Sequence, residues 1–201
     1  MGKIKDALQF KGRPYEIPDV MREDLPEFFK EMGFTKGVEI GTSKGNYAVH
    51  YGKAGLELFC VDPYTAYSDY DKEGLQETMN EQLLEATAKL APYNCHMIRK
   101  TSMEALADFE DESLDFVYID GNHGFKYVTE DIFEWSKKVK KGGVISGHDY
   151  IYTDRPFDNI HAKYVLDAYT AAFGINFYVL GRKHVEEGER RNKHRSWFFI
   201  K

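Results

Sequence analysis

The sequence predicts a single α/β domain built on a mainly parallel sheet, with the last strand reversed and helices on both faces. Three observations lead there. Short apolar runs alternate with segments of helical spacing from residue 36 onward. The runs are nearly continuous in apolar residues, as strands buried on both faces must be. The chain ends in two such runs separated by a charged stretch with no helical pattern, which closes an antiparallel hairpin rather than a crossover.

Taken in order, residues 1–17 read as an extended lead-in. Pro18 is read as opening a helix to about Met32, with Val20, Met21, Leu25, Phe28 and Phe29 on one side and Gly33 as its stop. Residues 1–32 are thus expected to be an N-terminal extension and helix, and residues 33–201 the main domain. Strands are expected at "KGVEIG" (36–41), "LELFCVD" (56–62), "CHMIRK" (95–100), "LDFVYID" (114–120), "GGVISG" (142–147), "INFYVLG" (175–181) and "SWFFIK" (196–201). Between them, residues 45–52, 71–90, 102–109, 125–140 and 158–173 carry helical spacing. Phe125, Val128, Ile132, Trp135 and Val139 show it most clearly.

Composition narrows the function. The chain has 201 residues, 42% hydrophobic and 30% charged, which suits one cored globular domain. A net charge of −6 argues against a nucleic-acid partner, which needs a basic face. The cation-rich stretch 182–195, "RKHVEEGERRNKHR", is interleaved with acids and reads as a solvated loop. No apolar run approaches the roughly 18 residues of a membrane span, and the first residues lack the apolar core of a signal peptide. Cys60 and Cys95 fall inside strands and read as buried free thiols, consistent with a reducing, cytoplasmic setting.

The chemistry concentrates at strand ends. In "VEIGTSKGNYA" (38–48) an apolar run ends in Glu39 and Gly41, and Gly45 follows four residues later, with Thr42, Ser43 and Lys44 between. Glycines there let backbone approach a ligand at a helix start. The next strand ends in Asp62, about 20 residues on, where an acid can accept the two hydroxyls of a ribose. This pairing points to a nucleoside-type ligand, with Pro63 beside the acid. A pyrophosphate fingerprint would need a glycine at position 43, so a nicotinamide dinucleotide is disfavoured.

"VEIGTSKGNYA", "LFCVDPY", "VYIDGNHGFKYVTEDI" and "GGVISGHDY" together resemble a class I S-adenosylmethionine-dependent methyltransferase. More narrowly, they are similar to the macrocin-type sugar O-methyltransferases and their small stand-alone relatives, over about residues 33–201. The resemblance implies a Rossmann-like, seven-stranded sheet whose last strand is antiparallel and inserted beside its hairpin partner. It implies Glu39 and Gly41 at the methionine end of the cofactor, Asp62 on the ribose, Ser102 and Met103 near the adenine, and Asp120 beside the methyl group. For Ser102, a helix N-cap is an equal alternative.

Asp120, His148 and Asp149 terminate neighbouring strands, and two carboxylates with an imidazole suit Mg²⁺ or Mn²⁺. Such a cation would lower the pKa of an acceptor hydroxyl. A hydrogen-bonded cluster with His148 paired to Asp120 is the alternative. The related sugar enzymes carry acids at the matching positions, so His148 is a departure. A second departure is Asn122, where those enzymes place a carboxylate base. His123, next along, has the intrinsic pKa for that role, or it caps the following helix with Asn122. Catalytic candidates are therefore Asp120, His123 and His148. Tyr64, Tyr67 and Tyr70 either close over the site or pack the long helix. Tyr150 and Tyr152 are candidates for the acceptor pocket. Arg155 pairs either with an anionic substrate or with Asp154.

The expected activity is methyl transfer from S-adenosylmethionine to a small-molecule acceptor, most simply at oxygen, with a divalent metal as assistant. The alternatives are a metal-dependent hydroxylase-like relative on the same fold and a non-catalytic cofactor-binding module. The amphipathic residues 1–32 could serve a homo-oligomeric interface.

Overall fold

The computed structural model of the protein describes residues 2–65, 75–152, 160–181 and 194–201. Its frame is one eight-stranded sheet: β1 (Tyr15–Ile17), β2 (Lys36–Ile40), β3 (Glu57–Val61), β4 (Cys95–Ile98), β5 (Leu114–Ile119), β6 (Val139–Tyr150), β7 (Phe177–Leu180) and β8 (Arg195–Ile200). The spatial order is β1-β7-β8-β6-β5-β2-β3-β4. β8 lies between β6 and β7 and runs antiparallel to both, while the other pairings are parallel. The final strand is reversed, as the terminal hairpin predicted, and inserted, as the family resemblance implied.

The lead-in differs from expectation. Residues 1–17 contain a short helix, α1 (Lys3–Ala7), and the edge strand β1. Pro18 opens no helix. A 3₁₀ turn at Arg22–Asp24 leads into α2 (Leu25–Glu31), whose first turn holds Pro26, where a missing N–H costs nothing. The other helices are α3 (Ala48–Lys53), α4 (Leu75–Leu90), α5 (Ser102–Ala105), α6 (Phe125–Lys138) and α7 (Ala162–Phe173). α7 ends on Gly174 at φ +68, a left-handed cap.

Side chains alternate across the sheet and build two cores. Val117 and Ile119 of β5 join Val38, Ile40, Ile132, Trp135 and Leu166 on one face. Phe116 and Tyr118 join Phe28, Phe29, Tyr51 and Leu58 on the other. The helical face of α6 is narrower than its spacing suggested. Phe125 is 59% exposed, because it stands at the open N-terminal end, and Val139 has already passed into β6. Cys60 is buried and Cys95 half-buried, and both are free thiols.

Register decides where the site forms. Ile40 is level with Val61 and Ile119, Val61 with Ile98, and Ile119 with Gly147. The next residue in each strand, namely Gly41, Asp62, Arg99, Asp120 and His148, therefore falls in one row at the carboxyl edge. Backbone bonds extend the ladder into that row: Gly41 N–H to the Val61 carbonyl (2.8 Å), Asp120 N–H to Ile40 (2.8 Å) and Asp62 N–H to Ile98 (3.1 Å).

At the opposite edge, Asp115 pins the sheet. Its buried carboxylate accepts from the Thr35 and Lys36 amides at 2.8 and 3.0 Å and from Lys140 Nζ at 2.7 Å. Burial alone would raise its pKa, but Lys140 and the two amides hold it below the usual carboxylate range. A depressed folded-state pKa contributes stability above the unfolded value, and that contribution is lost as pH falls through the folded value. Asp115→Ala should cost about 2–4 kcal/mol at pH 7 in urea unfolding, since two amides lose their acceptor. The difference from the parent should shrink as the medium is acidified below about pH 4. A loss under about 0.5 kcal/mol at pH 7 would contradict this role.

Candidate active site

The turn after β2 is shaped by backbone geometry. Gly41 has φ +87, and a Cβ there would lie 2.2 Å from the Asp120 carbonyl oxygen, so only glycine lets the tips of β2 and β5 meet. Ser43 is also left-handed, at φ +47. Its amide donates to Asp62 Oδ2 at 2.9 Å, and the Tyr64 amide donates to Asp62 Oδ1 at 2.9 Å. Each carboxylate oxygen keeps acceptor capacity after these bonds. Burial raises the Asp62 pKa, opposed by the two amides. Tyr64 is buried, and its Oη donates to the Ser43 carbonyl at 2.7 Å. It therefore braces the turn and is no mobile cover. Tyr67, Tyr70 and Arg155 lie outside the described residues, as do residues 182–193 of the charged loop.

This row opens onto a cleft of about 820 Å³, within the size range of small-molecule sites. Of the expected cofactor residues, Gly41, Ser43, Asp62, Pro63, Ser102, Met103 and Asp120 line it, while Glu39, Thr42 and Gly45 do not. Glu39 and Thr42 are buried behind the turn, and Glu39 Oε2 and Thr42 Oγ1 have no hydrogen-bond partner among the described residues. Burial, reinforced by Asp120, pushes the Glu39 carboxyl up to about 8.

Ser102 is not the cap of α5. Thr101 takes that position in a reciprocal pair with Glu104, accepting from its amide and donating to its carboxylate. Ser102 Oγ is free for a different chain: it accepts from Trp135 Nε1 at 2.7 Å and donates to Asp131 Oδ1. Asp131, on α6, also lines the cleft, and burial pushes its carboxyl up to about 7.

Asp149 organises the other end of the row. It is buried and left-handed, at φ +60, a conformation that costs a non-glycine residue energy and recurs at functional sites. Three imidazoles face it: His123 Nδ1 at 3.0 Å, His148 Nδ1 at 3.1 Å and His194 Nδ1 at 2.6 Å. Burial would raise its pKa, but His123 and His148 hold it far below the usual range, so it is ionised. His123 is pulled down by burial and up, more strongly, by Asp149. Burial raises Asp120, opposed by His148 at 3.7 Å and assisted by Asp149. Asp120 also pairs with Arg22 Nη1 at 3.3 Å.

His123 stands beside the expected metal donors in this geometry. Among the described residues, ligand atoms of Asp120, His123 and Asp149 come within 4.8 Å of one another. His148 is not in that group, although its Nδ1 stands 3.1 Å from Asp149 and 3.7 Å from Asp120. Two carboxylates and an imidazole nevertheless fit a hard divalent cation. Asn122 makes a local turn, its Oδ1 accepting from the Gly124 amide at 2.9 Å. Tyr150 and Tyr152 line neither this cleft nor the one beyond Asp120. Tyr150 is buried with its hydroxyl bound to Asp167 at 2.8 Å, and Tyr152 is 67% exposed. Arg22 and His194 escaped the sequence reading. The terminal hairpin, docked against β6, is the one signal that could have found His194.

The model of a family described as "Methyltransferase domain" matches residues 38–150, more than half of the chain. The chain belongs to this methyltransferase-domain family. The family segment runs from the strand before Gly41 to the end of β6, and so contains the whole row. A curated relative, the uncharacterized protein y4gI of Sinorhizobium fredii, is 31% identical over 118 residues. That match covers 56% of this chain but only 13% of the relative's length. Among solved structures, the O-methyltransferase from Bacillus cereus in complex with SAH superposes with a TM-score of 0.63 at 16% identity, covering 98% of this chain and 87% of that one. TomG from Streptomyces achromogenes, an O-methyltransferase in complex with SAM, gives 0.62 at 14% identity, covering 89% and 78%. Spermidine synthase from Thermotoga maritima gives 0.55 at 14%, covering 91% and 60%. These likenesses establish the class I methyltransferase fold for this family member.

The Asp131 environment makes a testable statement. A carboxyl raised above its unfolded value stabilises the fold fully at low pH and loses that contribution as pH rises through about 7. Carboxyl-carbon NMR should place its midpoint near neutrality, and Asp131→Asn should flatten the decline in stability between about pH 4 and 7. A midpoint near 4 would contradict the geometry described.

Proposed function

We propose that the protein transfers a methyl group from S-adenosylmethionine to a hydroxyl oxygen of a small molecule. The observation that carries this reading is the row Gly41, Asp62 and Asp120 opening onto a single cleft. Bound there, S-adenosylmethionine would supply an already activated methyl group, so the chain's task is chiefly positioning. Asp62, held at both oxygens by backbone amides, is set to accept the ribose hydroxyls. Gly41 clears space at the turn. The unpaired polar atoms of Glu39 and Thr42 lie behind the methionine end. Ser102, Met103 and Asp131 form the wall toward the adenine.

His123 is the proposed base. With Asp149 ionised, the His123 Nδ1 proton is donated to it, which leaves Nε2 as the acceptor for the proton of the substrate hydroxyl. A divalent cation on Asp120, His123 and Asp149 is the second form of the same proposal, favoured by their convergence. When bound it would lower the pKa of the acceptor oxygen. The two forms differ in their response to a chelator.

Calorimetry with S-adenosylhomocysteine tests the cofactor role. Asp62→Ala should weaken binding about 10- to 100-fold, the range for hydrogen bonds to a charged acceptor. Equal affinity in parent and variant would remove Asp62 from the reading. His123→Ala should lower kcat about 100-fold or more if it takes the proton. Undiminished turnover would exclude it. Loss of turnover on chelation, restored by Mg²⁺ or Mn²⁺, would select the cation-assisted form, whereas indifference to the chelator would select the His123–Asp149 pair alone.

A further inference from the structure

A second cleft, of about 970 Å³, lies beyond Asp120 and is lined in part by Arg22, Asn46, His50, His148, His194 and Arg195. It does not share Asp120 or His123 with the first cleft. Instead it contains the two side chains that face Asp120 from the other side, Arg22 at 3.3 Å and His148 at 3.7 Å. An acceptor seated in the second cleft would reach past Asp120 to bring its hydroxyl to His123 and the donor in the first.

The chemistry of this second cleft is distinctive. Arg22 comes from the 3₁₀ turn before α2, where it is fixed by three contacts. Its guanidinium stacks 4.8 Å from the Tyr47 ring, its carbonyl accepts from Tyr47 Oη at 2.6 Å, and its Nε lies 3.6 Å from Glu23. Arg195 opens β8. Its Nε donates to the Leu180 carbonyl at 3.0 Å, its Nη1 pairs with Glu16 at 3.2 Å, and its Nη2 has no hydrogen-bond partner among the described residues. Two acids also line the cleft, and both are engaged. Glu23 faces Arg22, and Asp24 accepts from the Met21 amide at 2.8 Å. A buried guanidinium N–H without an acceptor is costly. An anionic oxygen is the partner that satisfies it best.

We propose that this cleft receives the methyl acceptor and selects one that carries an anionic group, a carboxylate or a phosphate, held by Arg22 and Arg195. The proposal rests on the methyl-transfer reading for its acceptor role, while the anion site itself stands on the cleft alone. Residues 1–32 then supply part of the substrate site through Arg22.

Inorganic phosphate is the probe for the anion site. It is titrated into the full chain, with and without S-adenosylhomocysteine, while the arginine Nε–H resonances are followed by NMR. Saturable shifts at Arg22 and Arg195 are expected, weakened about tenfold in Arg195→Gln and in Arg22→Gln and largely retained in Arg195→Lys. No saturable shift, or equal binding by the glutamine variants, overturns the anion site. Displacement of S-adenosylhomocysteine by phosphate overturns it as well, since the anion would then sit in the first cleft. Phosphate binding by a chain that takes up no S-adenosylhomocysteine would defeat the methyl-transfer reading and leave the anion site standing. For the acceptor role, the chain is incubated with methyl-labelled S-adenosylmethionine and a small-molecule extract. Labelled product retained on an anion exchanger at neutral pH is expected, and labelled product in the unretained fraction overturns the selectivity.

Discussion

The site depends on a close approach of backbone to backbone. The tips of β2 and β5 meet where Gly41 faces the carbonyl of Asp120, and there is no room at that point for a Cβ. Because the carbonyl belongs to main chain at the end of a paired strand, it cannot swing aside as a long side chain could. This contact joins the turn over the first cleft to the acid between the two clefts. The ladder bond from the Asp120 amide to the Ile40 carbonyl fixes the same junction from the other side.

Around that junction, electrostatics does what packing does elsewhere in the molecule. Asp149 is strained, buried and ionised, and it survives because three imidazoles surround it. It holds Nδ1 of His123 at 3.0 Å, so Nε2 is the ring nitrogen turned away from it. Asp120, by contrast, carries opposing influences: burial and Asp149 raise its pKa, while His148, His123 and Arg22 lower it. Two carboxylates in one cluster are thereby pushed in opposite directions, Asp120 up and Asp149 down. The aromatic layer beneath, in which Tyr47 stands 4.5 Å from Tyr118, gives Arg22 a rigid seat.

The strand ends were legible in the sequence because each apolar run stops at a polar residue, and a parallel sheet carries all such stops to one edge. Gly41, Asp62, Asp120 and His148 follow from that alone, while the reversed last strand follows from a terminal connection with no helical pattern. Residues that arrive from elsewhere were not legible. Arg22 meets Asp120 across 98 positions and His194 meets Asp149 across 45. No local period encodes such contacts. β1 was missed because three residues make too short a pattern, and its pairing with β7 is a tertiary fact. His123 reaches Asp149 from the loop after β5, and His148 reaches both Asp149 and Asp120 from β6, so the row placed His148 but not His123.

The most direct measurement is S-adenosylhomocysteine affinity in Gly41→Ala, with thermal unfolding recorded on the same sample. A methyl group at that point must part β2 from β5 or rotate the turn away from Asp62. The account predicts cooperative unfolding together with an affinity at least tenfold below that of the parent chain. Parent-like affinity in the folded variant would contradict it, because the cleft would then not depend on the junction from which everything else has been built.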